Sequence, residues 1–443
     1  MSFVTLPVRF KIRRGFLKLG RFRCELVFHL YCLCPLMGCD LEETEPLTWQ
    51  YTAHSVLKYD LRILHLLCLW PLPGSLLFRT LTAFFIALCL GHFAEAVVNL
   101  YTLSGDMEAY ALALSNVSVI IVGVLKVTFF LRHERKYCRL VRWLDALVVA
   151  ERESVHGRPL LEAIFPATQK RAVRIARGLL LYNCFLLSIW LTAPLAAPPE
   201  ARILPLQQLP FTDANAYPLY ELSYALQALS LIVVGLINVH MDCFFTVTMI
   251  YTAALLRSLA SRLADLQAHD TLPRANGYGR GQKTATADEM YGELCFCIRT
   301  HQEITRFVQH LESVMNPIAM MQLALGVFDG CMLIFPAAYS SESGALVKCL
   351  ITGPTVAMQL LLYCLGAHSV REQGESVSLA AYNCGWPDAG ARFGRAVQLV
   401  INRAQQPLAL TVGGVYPIQR ATFLSLLNAG YSYYAVLQNF NGR

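Results

Sequence analysis

ATFLSLLNAGYSYYAVLQNF, residues 421–440, carries no charged side chain. At about 1.5 Å per residue, a helix of that length matches the roughly 30 Å hydrocarbon thickness of a bilayer. Small residues, hydroxyls and aromatics are interleaved along it, so the run reads as a membrane span with a polar side, and a central part of the function is expected there. Six more apolar runs precede it, at 76–100, 109–131, 175–193, 219–256, 317–338 and 346–367. The last span starts at either Leu408 or Phe423, with a kink or break near Gly413, Gly414 and Pro417. The expected fold is an all-α membrane protein with seven transmembrane helices.

Composition agrees. The 443 residues are 55% hydrophobic and 15% charged, against about 25% charged residues in soluble domains. The net charge of +7 follows from topology and is no nucleic-acid footprint. Lys and Arg number ten up to Arg79, ten in 132–174, seven in 257–316 and four in 367–405. The alternate loops hold only Arg202, Lys348 and Arg443. Basic loops stay on the cytosolic side, which puts the N-terminus in the cytosol and the C-terminus outside. That orientation is the inverse of a G-protein-coupled receptor. A secondary transporter would show paired repeats with broken helices, and none is evident.

Residues 1–54 combine a basic stretch, a short apolar patch at Leu26–Met37 and an acidic turn. They read as a cytosolic or interfacial extension, followed by the membrane domain at 55–443. Leu61–Leu77, broken by Pro71 and Pro73, reads as an interfacial helix. Mixed charge at helical spacing over 257–312, interrupted by Gly277, Gly279 and Gly281, predicts helices that leave the bilayer and are joined by a loop.

Several residues invite a chemical reading and receive a structural one. The fifteen cysteines lie largely in apolar runs, and Cys295-Phe296-Cys297 lacks the second ligand pair of a zinc site. Asn116-Val117-Ser118 is a sequon placed inside a span. Lys126 is expected to snorkel toward the cytosolic side, whereas Asp242 and Asp329 suit interhelical hydrogen bonds. Nucleophile triads, paired carboxylates and phosphate loops are not evident, so no catalysis, cofactor or metal is expected.

Leu69-Trp70-Pro71 before the first span, Leu294 to Ile304 with its Cys-Phe-Cys-Ile-Arg-Thr-His core, Gln373-Gly374-Glu375-Ser376, Ala380-Ala381-Tyr382-Asn383-Cys384-Gly385-Trp386, Asn402-Arg403-Ala404-Gln405-Gln406-Pro407 and Tyr431-Ser432-Tyr433 together resemble the insect odorant receptor family. The resemblance covers about 55–443 and is densest over 290–440. It implies an odorant-binding tuning subunit of a ligand-gated, non-selective cation channel in the plasma membrane of a sensory neuron dendrite. Its implied partners are a small volatile odorant, a shared co-receptor in a heterotetramer, and the bilayer. Helices four to six would extend into a cytosolic anchor, with His301 and Tyr382 positioning it, and the seventh helices would line the pore.

By that resemblance Val436 and Phe440 form an apolar constriction with Gln438 and Asn439 beside it. The odorant pocket falls in the outer halves of spans two to six, at Ser115, Val119, Ile189, Trp190, Tyr224, Ala228, Ser230 and Phe335. Apolar and aromatic walls with one or two hydroxyls suit a small volatile. Gustatory receptors, the nearest relatives, carry Thr and Gln where this chain has Ser432 and Asn439. A gustatory-type channel working without the co-receptor is the alternative.

Overall fold

The computed structural model describes residues 47–69, 76–103, 107–195, 204, 219–266, 287–339, 343–387 and 389–441. Two short helices, α1 (Trp49–His54) and α2 (Lys58–Leu66), precede α3 (Leu76–Thr102) and α4 (Met107–Arg132). Then come α5 (Glu134–Ser154), α6 (Pro159–Glu162), α7 (Ile164–Leu195), α8 (Leu219–Ala264), α9 (Ala287–Tyr339), α10 (Ser343–Asn383) and α11 (Ala391–Ala404). A hairpin of β1 (Thr411–Val412) and β2 (Tyr416–Pro417) leads into α12 (Arg420–Asn441).

Six helices among the described residues are long and apolar enough to cross a membrane: α3, α4, α7, α8, α9 and α10. At 22 residues α12 has spanning length, but Ser425, Asn428 and Ser432 dilute its apolarity. Together these make the seven spans. α8, α9 and α10 have 46, 53 and 41 residues, so each is about 60–80 Å long and overshoots a bilayer core of about 30 Å. Their shared core contains Phe244, Phe245, Phe307, Leu311 and Tyr363, each at most 1% exposed. α8 is buried along almost its whole length from Val233 onward and so forms the axis of the chain. Gly366 lets α10 approach it closely, since a Cβ there would lie 2.6 Å from Met249 Cε.

Several boundaries differ from the sequence reading. The basic segment after span two contains the amphipathic helix α5, whose Tyr137, Leu140, Val141, Leu144 and Val148 are buried. Its apolar residues recur at intervals of three and four, a pattern that the density of arginine obscures. The helix that carries the third span begins at Ile164, ahead of the apolar run from Ile175, because Lys170, Arg171 and Arg174 sit on the exposed side of a continuous helix while Ala172 and Ala176 are buried. Of the two starts considered for the last span, Leu408 is excluded. Gly413 and Gly414 adopt φ of +63° and +73° and turn the chain into the hairpin, a conformation that costs non-glycine residues about 1–2 kcal/mol each. Asn316 of α9 holds that turn, its Oδ1 accepting from the Gly413 N–H at 3.0 Å. The Gly-rich turn at 277–281 lies outside the described residues, as does 1–46 of the N-terminal extension.

α1 and α2 dock through Asp145 of α5. Its Oδ1 accepts the Val56 N–H at 2.9 Å and the Ser55 hydroxyl at 3.2 Å. Burial pushes this carboxyl above the usual aspartate range, although the bonds from Val56, Ser55 and Tyr51 pull the other way. A raised native pKa means the folded state holds a proton that the unfolded chain has released. Asp145 therefore contributes most below the ordinary aspartate pKa, and that contribution is lost as pH rises through the raised value. Thermal unfolding of wild type and Asp145→Asn across pH 4–8 is expected to show the larger decline toward high pH in wild type.

Candidate functional site

The interior between the spans is apolar with a few polar side chains set into it, and the backbone hydrogen bonds are satisfied within each helix, as a bilayer demands. Ser115 on α4 is 2% exposed and donates to the Asp329 carboxylate on α9. Val119, one turn further along α4, leaves its carbonyl to the Asn238 side-chain amide of α8 at 3.5 Å. Nearer the start of α8 the Tyr224 hydroxyl donates to the Leu191 carbonyl at 2.7 Å, which draws Tyr224 toward the turn of α7 that carries the half-buried Ile189 and Trp190. Ala228 is half-buried, and Ser230 is 1% exposed with its hydroxyl unbonded. Phe335 on α9 is half-buried.

The eight residues thus fall into two groups, α4 with α9 and α7 with α8. The structure brings Ser115 to Asp329 and Tyr224 to the Leu191 turn. Ser230 adds one buried hydroxyl without a partner.

Sequence reasoning missed a third polar group. Gln227 of α8, 1% exposed, donates to Glu95 of α3 at 3.4 Å, and His92 Nδ1 lies 3.9 Å from the same carboxylate oxygen. His92, Glu95 and Asn99 recur at intervals of three and four in an otherwise apolar helix, so one face of the first span is polar. That spacing was the available signal.

Lys126 does not snorkel. It is fully buried, and its Nζ sits 2.6 Å from Asp242 Oδ1 and 3.5 Å from the Asn238 carbonyl. The Tyr363 hydroxyl donates to the same Oδ1 at 2.9 Å. The stem of Lys126 emerges on the side of α4 that faces α8, so the ammonium meets a carboxylate before it can reach water. Asp242 and Asp329 both make the expected interhelical bonds.

Beyond the spans, His301 is 4% exposed among the extended helices, whereas the Tyr382 side chain is 62% exposed. The Tyr382 carbonyl accepts the Trp386 indole N–H at 3.1 Å. On α12, Val436 is 51% exposed and Asn439 is exposed; the side chains of Gln438 and Phe440 lie outside the described residues. Leu424, Leu427 and Tyr431 give this helix one exposed apolar side, and Val436 is exposed on another.

A family model described as 7tm Odorant receptor matches residues 106–431. Among similar proteins, Odorant receptor Or2 of Anopheles gambiae is 25% identical over 346 residues, covering 77% of this chain and 87% of its own length. Odorant receptor 10 of Aedes albopictus is 27% identical over 231 residues, covering 52% and 58%. The olfactory receptor OR5 of Machilis hrabei superposes with a TM-score of 0.73 over 87% of this chain and 98% of that one, at 19% identity. Its complex with eugenol gives 0.72 at 20% identity. With the family model spanning well over half of the chain and seven helices arranged as in that receptor, this multi-pass membrane protein belongs to the 7tm odorant receptor family and is a receptor, not an enzyme.

Proposed function

We propose that the chain is the odorant-binding tuning subunit of a ligand-gated, non-selective cation channel that assembles with a shared co-receptor in the plasma membrane. Family membership over 106–431 carries this reading. The eugenol complex of the Machilis receptor supports a small volatile as the ligand class. The odorant occupies the outer halves of spans two to six, bounded by Ser115, Val119, Ile189, Trp190, Tyr224, Ala228, Ser230 and Phe335. Ser230 supports that placement, since a buried hydroxyl without a partner is available to a ligand oxygen.

The seventh helix gates. Val436 and Phe440 form the constriction, Gln438 and Asn439 meet hydrated ions, and a ring of apolar side chains closes the path by dewetting. The exposure of Val436 supports this role, because a pore-facing side chain has no neighbour within its own subunit. The N-terminus is cytosolic, residues 1–54 extend the receptor domain at 55–443, and the overshooting ends of α8, α9 and α10 build the cytosolic anchor around His301 and Tyr382.

Co-expression with a co-receptor and exposure to a broad odorant panel tests the assembly. The expected result is a cation current that neither subunit gives alone for at least one volatile. A current from this chain by itself would favour the gustatory-type alternative, and silence despite surface delivery of both subunits would count against the proposal.

A further inference from the structure

The first turns of α7 carry Lys170, Arg171, Arg174 and Arg177, all exposed. They share about a third of the helix circumference with Leu181 and Phe185, which are 70% and 61% exposed. The opposite side of α7 is the buried one, at Ala172, Ala176 and Asn183. No charged residue follows Arg177 before Leu195. One exposed strip therefore passes from four cations straight into lipid-facing hydrocarbon.

α2 completes the basic end of the strip. Lys58 Nζ lies 5.3 Å from the Tyr59 ring centroid, and the Arg177 guanidinium lies 5.8 Å from the same centroid. Two cations on different helices thus converge on a single ring. Arg62, one turn beyond Lys58, stacks 5.3 Å from Trp49, itself 44% exposed, as aromatic residues do at a membrane surface. A narrow cleft between α2 and α7 is lined by Lys58, Tyr59, Asp60, Gln169 and Val173; the carboxylate of Asp60 is 1% exposed and turned inward to His240 at 3.1 Å. Among the described residues no carboxylate pairs with Lys58, Arg62, Lys170, Arg171, Arg174 or Arg177.

Cations on one surface that lack a carboxylate partner among the described residues repel one another, and a ligand that neutralises several at once is favoured there. A headgroup with a single phosphate neutralises only a part of that charge. From this geometry we infer a binding site for an anionic phospholipid whose headgroup carries more than one phosphate. The phosphates bridge Arg174, Arg177 and Lys58, where the planar guanidinium forks suit phosphate oxygens. The acyl chains lie along Leu181 and Phe185. A free inositol phosphate is disfavoured by that hydrocarbon continuation, which only a lipid would use.

Native mass spectrometry of the full chain in micelles tests this, with phosphatidylcholine, phosphatidylserine and phosphatidylinositol bisphosphate added in equal amounts. The bisphosphate lipid is expected to be retained in preference to both others. Arg174→Gln with Arg177→Gln should lower its retention about tenfold or more. Arg299→Gln with Arg395→Gln removes equal charge from exposed positions on α9 and α11 and should leave retention unchanged. Arg174→Lys with Arg177→Lys should keep most of it, which separates lost binding from lost folding. Equal retention of phosphatidylserine, full retention by the Gln pair, or displacement by soluble inositol trisphosphate at the lipid's own affinity would each overturn the assignment.

Discussion

Lys126→Met is expected to be the most damaging single substitution in the membrane interior, lowering stability by about 3–5 kcal/mol. Asp242 is 1% exposed, and its Oδ1 takes both Lys126 Nζ and the Tyr363 hydroxyl. With the ammonium gone, one hydroxyl remains to hold a carboxylate that no water reaches, and the other oxygen, Oδ2, already lacks a partner. The pair itself is worth much less than that loss, because its desolvation offsets most of the attraction. Removing both charges in Lys126→Met with Asp242→Leu should therefore recover most of the stability. Tyr363→Phe leaves the ion pair intact and should cost about 1 kcal/mol. Thermal unfolding in detergent separates the four proteins. A double variant as weak as Lys126→Met would show that the pair stabilises in its own right.

Arg262→Ala is expected to have the next largest effect, again about 3–5 kcal/mol, in the part of the helices beyond the spans. Arg262 is 3% exposed and ties three helices together. Its Nη1 donates to Ser154 Oγ of α5 at 2.8 Å and lies 3.4 Å from Glu151 Oε2, while Nη2 reaches Glu293 Oε1 of α9 at 2.7 Å. The guanidinium also stacks 4.3 Å from the Phe296 ring centroid. Glu151 is 2% exposed, and Arg262 is its ion-pair partner among the described residues; the Ser258 hydroxyl at 2.8 Å would be its remaining strong donor. Lysine cannot supply two divergent forks and a flat stacking surface together, so Arg262→Lys should rescue only part of the loss. Glu293 also pairs with the exposed Arg158 at 3.3 Å, and Glu293→Gln should cost about 1 kcal/mol or less. Surface delivery and melting temperature of the three variants give the order. An Arg262→Lys protein as stable as wild type would refute the geometric part of this account.

The spans were legible because a bilayer imposes a long, mostly apolar run, which 76–100, 109–131 and 219–256 supply with only one or two charged residues each. The overshoot of α8 and α9 was legible too, from mixed charge at helical spacing around Arg262 and Arg299. What the sequence concealed lay where tertiary partners decide. Lys126 in an apolar run is compatible with snorkelling or pairing, and only the approach of α8 places Asp242 within reach. The hairpin at Gly413–Gly414 was read as a kink because nothing local reveals that Asn316, far away in sequence, binds its turn. The pocket residues were placed by depth along each span, and depth does not say which side of a helix faces its neighbours. Ser115 therefore emerged as a partner of Asp329, and the Glu95–Gln227 contact was overlooked.

The central claim divides the labour, with odorant recognition in spans two to six and ion passage at the seventh helix. Recording odorant-evoked currents from the heteromer, with concentration–response curves and relative cation permeabilities in the same cells, tests it most directly. Trp190→Ala and Ser230→Ala should change the order in which odorants activate and leave permeability ratios as in wild type. Val436→Ser and Asn439→Asp should change permeability or resting conductance and leave the odorant order intact. Pocket variants that alter ion selectivity, or α12 variants that reorder the odorants, would contradict it.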